Sequence, residues 1–212
     1  MELLTKEFEN MKFNLEKLKS KKINELNLSK TMLFIIDMNN GFAKKGALYS
    51  DRVEALINPI TNLVKILEAK NCEIIAFTDS HNKDSIELRS YPTHCLENDY
   101  ESKIVDEIST IKNLKVIPKN STNGFFCLED KHFKNIDNII VVGDCTDICI
   151  YQFVVTLKAY FNQNNIDKNI IVPMNLVDTY HIDNIHNAEI MNIVFLNSMI
   201  QNGVEVIKEI VL

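Results

Sequence analysis

Apolar residues fall into short unbroken runs along this chain, separated by longer stretches in which they recur every third or fourth position. The runs are Met32–Ile36, "CEIIAFTDSH" from residue 72, "LKVIPKN" from 114, "NIIVVGDCTD" from 138, "NIIVPMN" from 169 and a closing "VEVIKEIVL" from 204. Bounded by polar turn residues, they read as buried strands. Helical spacing predicts helices over residues 53–70, from "SKIVDEI" onward, over about 149–164, and over 187–202, where Met191, Phe195 and Met199 form a core stripe. Ahead of all of them, Phe8, Met11, Leu15 and Leu18 recur among Glu and Lys in residues 2–22, predicting an amphipathic helix that docks on the body.

Strands that are apolar throughout, alternating with amphipathic helices, imply a sheet covered on both faces. The fold class expected is α/β: a three-layer α-β-α sandwich with a mostly parallel, doubly wound sheet and an N-terminal helical extension. Ligands in such a fold bind beyond the carboxyl ends of the strands, so the residues to inspect are those just after each apolar run.

Composition narrows the function classes without choosing among them. Apolar residues make up 46% and charged residues 25% of the 212 positions, so one ordinary globular domain is the default. A net charge of -6 with Lys and Arg scattered among acids argues against nucleic acid as a partner. The N-terminus lacks an apolar secretion core and no run approaches the ~20 residues of a membrane span, so a cytoplasmic protein without a membrane partner is expected. Five cysteines, an odd number, fit reduced thiols better than a disulfide framework.

The strand ends deliver Asp37, then Asp79 and His81, then Lys119, then a loop holding Cys145 and Cys149. Taken singly, Asp37 reads as a turn residue, Lys119 as a solvated lysine, and Cys149 as equally a packing residue or a nucleophile at a helix start, where N–H groups favour a thiolate. Together an acid, an ammonium and a thiol supply a proton acceptor, an electrostatic stabiliser and a nucleophile. A second set, Asp79, His81 and His94 with Glu87 as a further oxygen, has the mixed N/O character of an open, catalytic metal site, although a histidine pair in a polar loop is more often without a ligand.

These residues resemble the isochorismatase-like cysteine hydrolase superfamily, and most of all its nicotinamidase branch, from about Thr31 to the C-terminus. The resemblance rests on Asp37 followed five residues later by Phe42, on Lys119, and on a G-x-x-T-D-x-C loop, Gly143 to Cys149. Within the superfamily, D-x-H at Asp79–His81 and the "YPTHC" stretch single out nicotinamidases. The resemblance implies a hydrolase domain over 31–212 behind an extension over 1–30, and a catalytic triad of Asp37, Lys119 and Cys149. It implies a divalent metal, zinc first, with iron or manganese as alternatives, on Asp79, His81 and His94, with Glu87 at the position where some members add a carboxylate. It further implies a cis peptide between Asp144 and Cys145, an oxyanion hole from the N–H groups of Cys145 and Cys149, and Phe42 and Tyr91 flanking a small-molecule amide. A homo-oligomer is expected from the same source.

The departures are Asn39 and Gly41 where many members have Gln and Asp, Tyr91 for a common Trp, and the "KNSTNGF" loop. All touch the pocket wall, so reaction type follows more closely than substrate. The alternatives are an amidase for carbamoyl or ureido compounds, and a non-catalytic ligand-binding member. His132, His181, His186, Cys72 and Cys127 are assigned no role.

Overall fold

The structure, a computed structural model, describes residues 2–129 and 133–212; His132 lies outside them. Strands β2 (Thr31–Ile36), β3 (Glu73–Asp79), β4 (Leu114–Lys119), β5 (Asn138–Asp144), β6 (Asn169–Pro173) and β8 (Glu205–Ile207) form one sheet in the order β4-β3-β2-β5-β6-β8. Every pairing is parallel, and a two-residue β7 (Val177–Asp178) takes over beside Gly143 and Asp144 where β6 diverges from β5. The chain starts at the centre with β2, builds outward through β3 and β4, then returns to β5 on the other side of β2. The order therefore reverses between β2 and β5, and a crevice opens there at the carboxyl edge.

All six residues of β2 are buried, because helices cover both faces. On one face Leu63, Val64 and Leu67 of α4 (Ile57–Ala69) pack with Leu33, Ile35 and Ala76. On the other, Phe153 and Leu157 of α6 (Tyr151–Gln163) and Met199 of α7 (Ala188–Gln201) pack with Phe34, Phe77 and Val141. The Phe34 and Phe77 rings stack 5.6 Å apart and Phe153 meets both edge-on. Met199 is buried as the core stripe requires, whereas Met191 and Phe195 lie half-buried.

The N-terminal helix α1 (Glu2–Glu16) docks as its pattern predicts: Leu15 is buried in the α6/α7 layer and Leu18 packs against it. It ends six residues before the expected limit, because the chain then turns into β1 (Lys21–Lys22), which pairs with β9 (Ile210–Val211). The run from 204 accordingly splits into β8 and β9. The single helix expected over 53–70 also breaks, into α3 (Asp51–Glu54) and α4. Pro59 has no N–H, and its ring would meet the carbonyl of Ala55 in a continuous helix, so the chain restarts at Leu56. Two more one-turn helices, α2 (Asn40–Ala43) and α5 (Asp106–Ser109), punctuate the loops. No helix among the described residues is long and apolar enough to cross a membrane.

Candidate active site

Two backbone features bring the ends of β2 and β5 together. Gly143 has φ +115, and a Cβ there would stand 2.0 Å from the Ile36 carbonyl oxygen, so only glycine lets the strands close at this point. On the facing strand Asp37 adopts φ 52, a left-handed conformation that aspartate tolerates, and its N–H donates to Phe77 O at 3.0 Å. The Asp37 carboxylate is thereby set into the crevice beside the loop after β5. The peptide between Asp144 and Cys145 is cis, as the resemblance implies.

After Cys145 the chain makes a single π-turn, Thr146–Ile150, in which the Cys145 carbonyl accepts from both Ile148 and Ile150 at 3.1 Å. The helical path thus begins at Thr146, three residues before the expected start, and Cys149 lies inside the turn. Lys119, at the end of β4, is 1% exposed although it carries a charge. Its Nζ lies 2.8 Å from Asp37 Oδ2 and 3.9 Å from Cys149 Sγ, and it also donates to Asp79 Oδ1. Asp37, Lys119 and Cys149 are therefore gathered around one buried point.

The electrostatics follow from that burial. Burial alone would lower the Lys119 pKa, but Asp37, Asp79 and Cys149 hold it well above the ordinary ammonium range. Burial pushes the Asp37 carboxyl up to about 7, against the pull of Lys119. The Cys149 thiol is also raised, by burial and then by Asp37, with Lys119 opposing. Of the two readings open for Cys149 in the sequence, a packed residue or a thiolate at a helix start, the structure combines parts of both: a buried thiol beside a carboxyl that titrates near neutrality. Desolvation outweighs the turn's N–H groups.

The second group stands next to it. Asp79, His81 and His94 are all buried and offer ligand atoms within 4.8 Å of one another. Nε2 of His81 lies 3.3 Å and Nε2 of His94 3.4 Å from Asp79 Oδ2. On the far side of each ring an acceptor waits: Asn120 Oδ1 for His81 Nδ1 at 3.2 Å and Pro92 O for His94 Nδ1 at 2.7 Å. With the proton held on Nδ1, both Nε2 lone pairs turn to the same point as the carboxylate, which is what a divalent cation requires of its ligands. Burial opposes ionisation of Asp79, but the Lys119 ammonium outweighs it and keeps the group a carboxylate.

Glu87 is not in this group. Its Oε2 accepts the Thr122 N–H at 3.0 Å, tying the loop after β3 to the loop after β4. Phe42 and Tyr91 flank His94, ring centroids 5.7 and 6.1 Å from the imidazole. Cys145, whose thiol burial pushes up, directs Sγ at Asp144 Oδ2, 3.4 Å away. Among the described residues all five cysteines are free.

Three residues in this region went unassigned in the sequence. Asn39 donates to the Asp79 carbonyl at 2.9 Å and joins the loop after β2 to the end of β3. Asn120 orients His81, and its place directly after Lys119 was the only signal. His186 is buried against Asp147, the aspartate of the T-D-x-C loop, with Nε2 2.7 Å from Oδ2; nothing in its local sequence pointed there, since 39 residues separate the two.

Comparison with known proteins agrees with the geometry. The isochorismatase domain family model matches residues 31–209. Nicotinamidase 1 of Arabidopsis thaliana is 28% identical over 149 residues, which span 61% of this chain and 61% of that protein. N-carbamoylsarcosine amidase from Thermoplasma acidophilum shares the fold at a TM-score of 0.69 and 22% identity, over 84% of this chain and 95% of its own. So does the pyrazinamidase of Pyrococcus horikoshii, solved in complex with zinc, at 0.67 and 16%, over 84% and 98%.

Proposed function

Because the chain belongs to the isochorismatase family, we propose that it is a metal-containing cysteine amidohydrolase that converts nicotinamide and water to nicotinate and ammonia. One observation carries the reading: a buried acid–ammonium–thiol set and a buried Asp-His-His set share Asp79, which pairs with Lys119 on one side and with both imidazoles on the other. In the superfamily's amidases for carbamoyl compounds the first set is shared and the second is usually absent.

Asp37, ionised at neutral pH in a fraction of molecules, takes the Cys149 proton as sulfur attacks the amide carbon. The N–H groups of Cys145 and Cys149 hold the developing oxyanion. Asp37 returns the proton to departing ammonia, leaving a thioester on Cys149. The same carboxylate then deprotonates a water that cleaves the thioester, and the acid product leaves. Lys119 stays charged throughout and keeps Asp37 and the sulfur in register. Asp79, His81 and His94 would hold a divalent ion, zinc first, which supplies a Lewis-acidic seat for the pyridine nitrogen. Phe42 and Tyr91 close on the two faces of the ring. On this reading the reaction is one of NAD salvage, carried out in the cytoplasm.

The test is ammonia release from nicotinamide, pyrazinamide and a carbamoyl compound, with and without chelator. Nicotinamide should be the preferred substrate and chelator should abolish its turnover, while Cys149→Ala lowers kcat by roughly three orders of magnitude or more. Chelator-insensitive hydrolysis of the carbamoyl compound in preference to nicotinamide overturns the substrate assignment, and wild-type turnover by Cys149→Ala overturns the covalent scheme.

A further inference from the structure

The proposed chemistry leaves unused a buried polar cluster built on the nucleophile turn itself. Asp147 sits two residues before Cys149 in the π-turn, and its side chain is 6% exposed. His186 Nε2 approaches its Oδ2 at 2.7 Å, and His186 Nδ1 donates to the Tyr180 carbonyl at 2.9 Å. The Tyr180 ring lies flat on the imidazole, centroids 3.9 Å apart at 14°. His186 is itself fixed by a tight turn: Ile182 N–H donates to His186 O at 2.9 Å and His186 N–H to Ile182 O at 2.8 Å. The next residue, Asn187, caps α7 through its side chain.

A buried carboxylate two residues from a nucleophile is costly unless paired. Here the pair crosses from the π-turn to a segment that enters the sheet region only at β7, so the contact fixes the turn against an independent element. A π-turn is a sparse conformation with one residue more per turn than an α-helix, and such turns persist where surrounding contacts hold them. We propose that His186 is a positioning residue for Cys149: by gripping Asp147 it holds the π-turn that sets the sulfur against Asp37 and Lys119.

The proposal rests on the assignment of Cys149 as nucleophile, and two readouts separate its failure from that of the substrate assignment. The first is kcat and KM for nicotinamide; the second, independent of substrate, is the rate of Cys149 alkylation by iodoacetamide, followed by peptide mass spectrometry. His186→Leu keeps the buried volume but cannot grip Asp147, and should lower kcat about 10- to 100-fold, the scale of a small misplacement of reacting groups, with KM changed less than threefold. Its Cys149 alkylation rate should shift at least fivefold from wild type. His186→Gln, which still offers an N–H to Asp147, should recover most of the kcat. The double variant His186→Leu/Asp147→Asn should be no worse than the more impaired single variant, since both remove one contact. Wild-type kcat and alkylation rate in His186→Leu overturn the proposal. So does a loss in His186→Leu that His186→Gln fails to relieve while melting as wild type does, or losses that multiply in the double variant. If wild-type protein hydrolyses no amide, the alkylation arm still decides.

Discussion

At the scale of single residues, Asp37 controls the pH dependence. A carboxyl with its pKa pushed up to about 7 stays protonated at pH values where ordinary aspartates are ionised, and only the ionised form can take the Cys149 proton. The sign follows: kcat/KM should be at its plateau above about pH 7 and fall tenfold per unit as pH drops below it. A rate profile flat down to pH 5.5 would show that some other base serves. Each of Asp37, Lys119 and Cys149 was legible in the sequence because each ends or follows an apolar run, and the sheet gathers such positions at one edge. What the sequence did not yield was their protonation. The helix-start position of Cys149 suggested a thiolate, and only the burial of the whole pocket, a property of the fold, shows that desolvation wins. Asn120 and His186 were missed for a related reason: an amide or imidazole acting on another side chain carries no periodicity, and its partner is distant in sequence.

At the scale of elements, the site depends on how closely β5 meets β2 and on how the loop after β3 folds back. Gly143→Ala places a methyl 2.0 Å from the Ile36 carbonyl oxygen at a φ that alanine resists. Either the strand ends part or the chain strains, at a cost of about 3 kcal/mol or more. Urea unfolding should show that loss together with strongly reduced turnover, because parting the strands separates Asp37 from Cys149; an unaffected midpoint would mean the closure is not required. The metal group spans two elements in the same way, with Asp79 at the end of β3, His81 just beyond it and His94 fifteen residues on. His94→Ala should therefore abolish stoichiometric zinc in metal analysis and raise the KM for nicotinamide, with a melting temperature insensitive to chelator. Metal retained at one equivalent would remove His94 from the ligand set. The central strands were legible because both faces of the sheet are covered there, which leaves nearly continuous apolar runs in β2, β3 and β5. The helix boundaries were less so, since Pro59 breaks a pattern whose apolar spacing continues across it, and the π-turn begins where apolar spacing has not yet started.

At the scale of the whole molecule, the N-terminal helix stands apart from the chemistry, and this can be tested by removing it. α1 buries Leu15 against the α6/α7 layer, and Asn197 of α7 donates to the Met11 carbonyl at 3.4 Å. Burying a leucine is worth about 2 kcal/mol, and the half-buried Phe8 and Met11 add a fraction each, against the cost of ordering the helix. Deleting residues 1–16 should then lower stability by about 2 kcal/mol. For a chain of this size that corresponds to a fall of roughly 4–8 °C in Tm. The newly exposed apolar surface of α7 should also make the truncated protein more prone to associate. Its kcat and KM should match those of the full chain, because Asp37 and Cys149 are positioned by Lys119 and by the π-turn after β5 rather than by polar contacts from α1. A truncated protein that melts as the full chain does but turns over more slowly would reverse this division, making α1 part of the catalytic apparatus and leaving the sheet insufficient to position its own site.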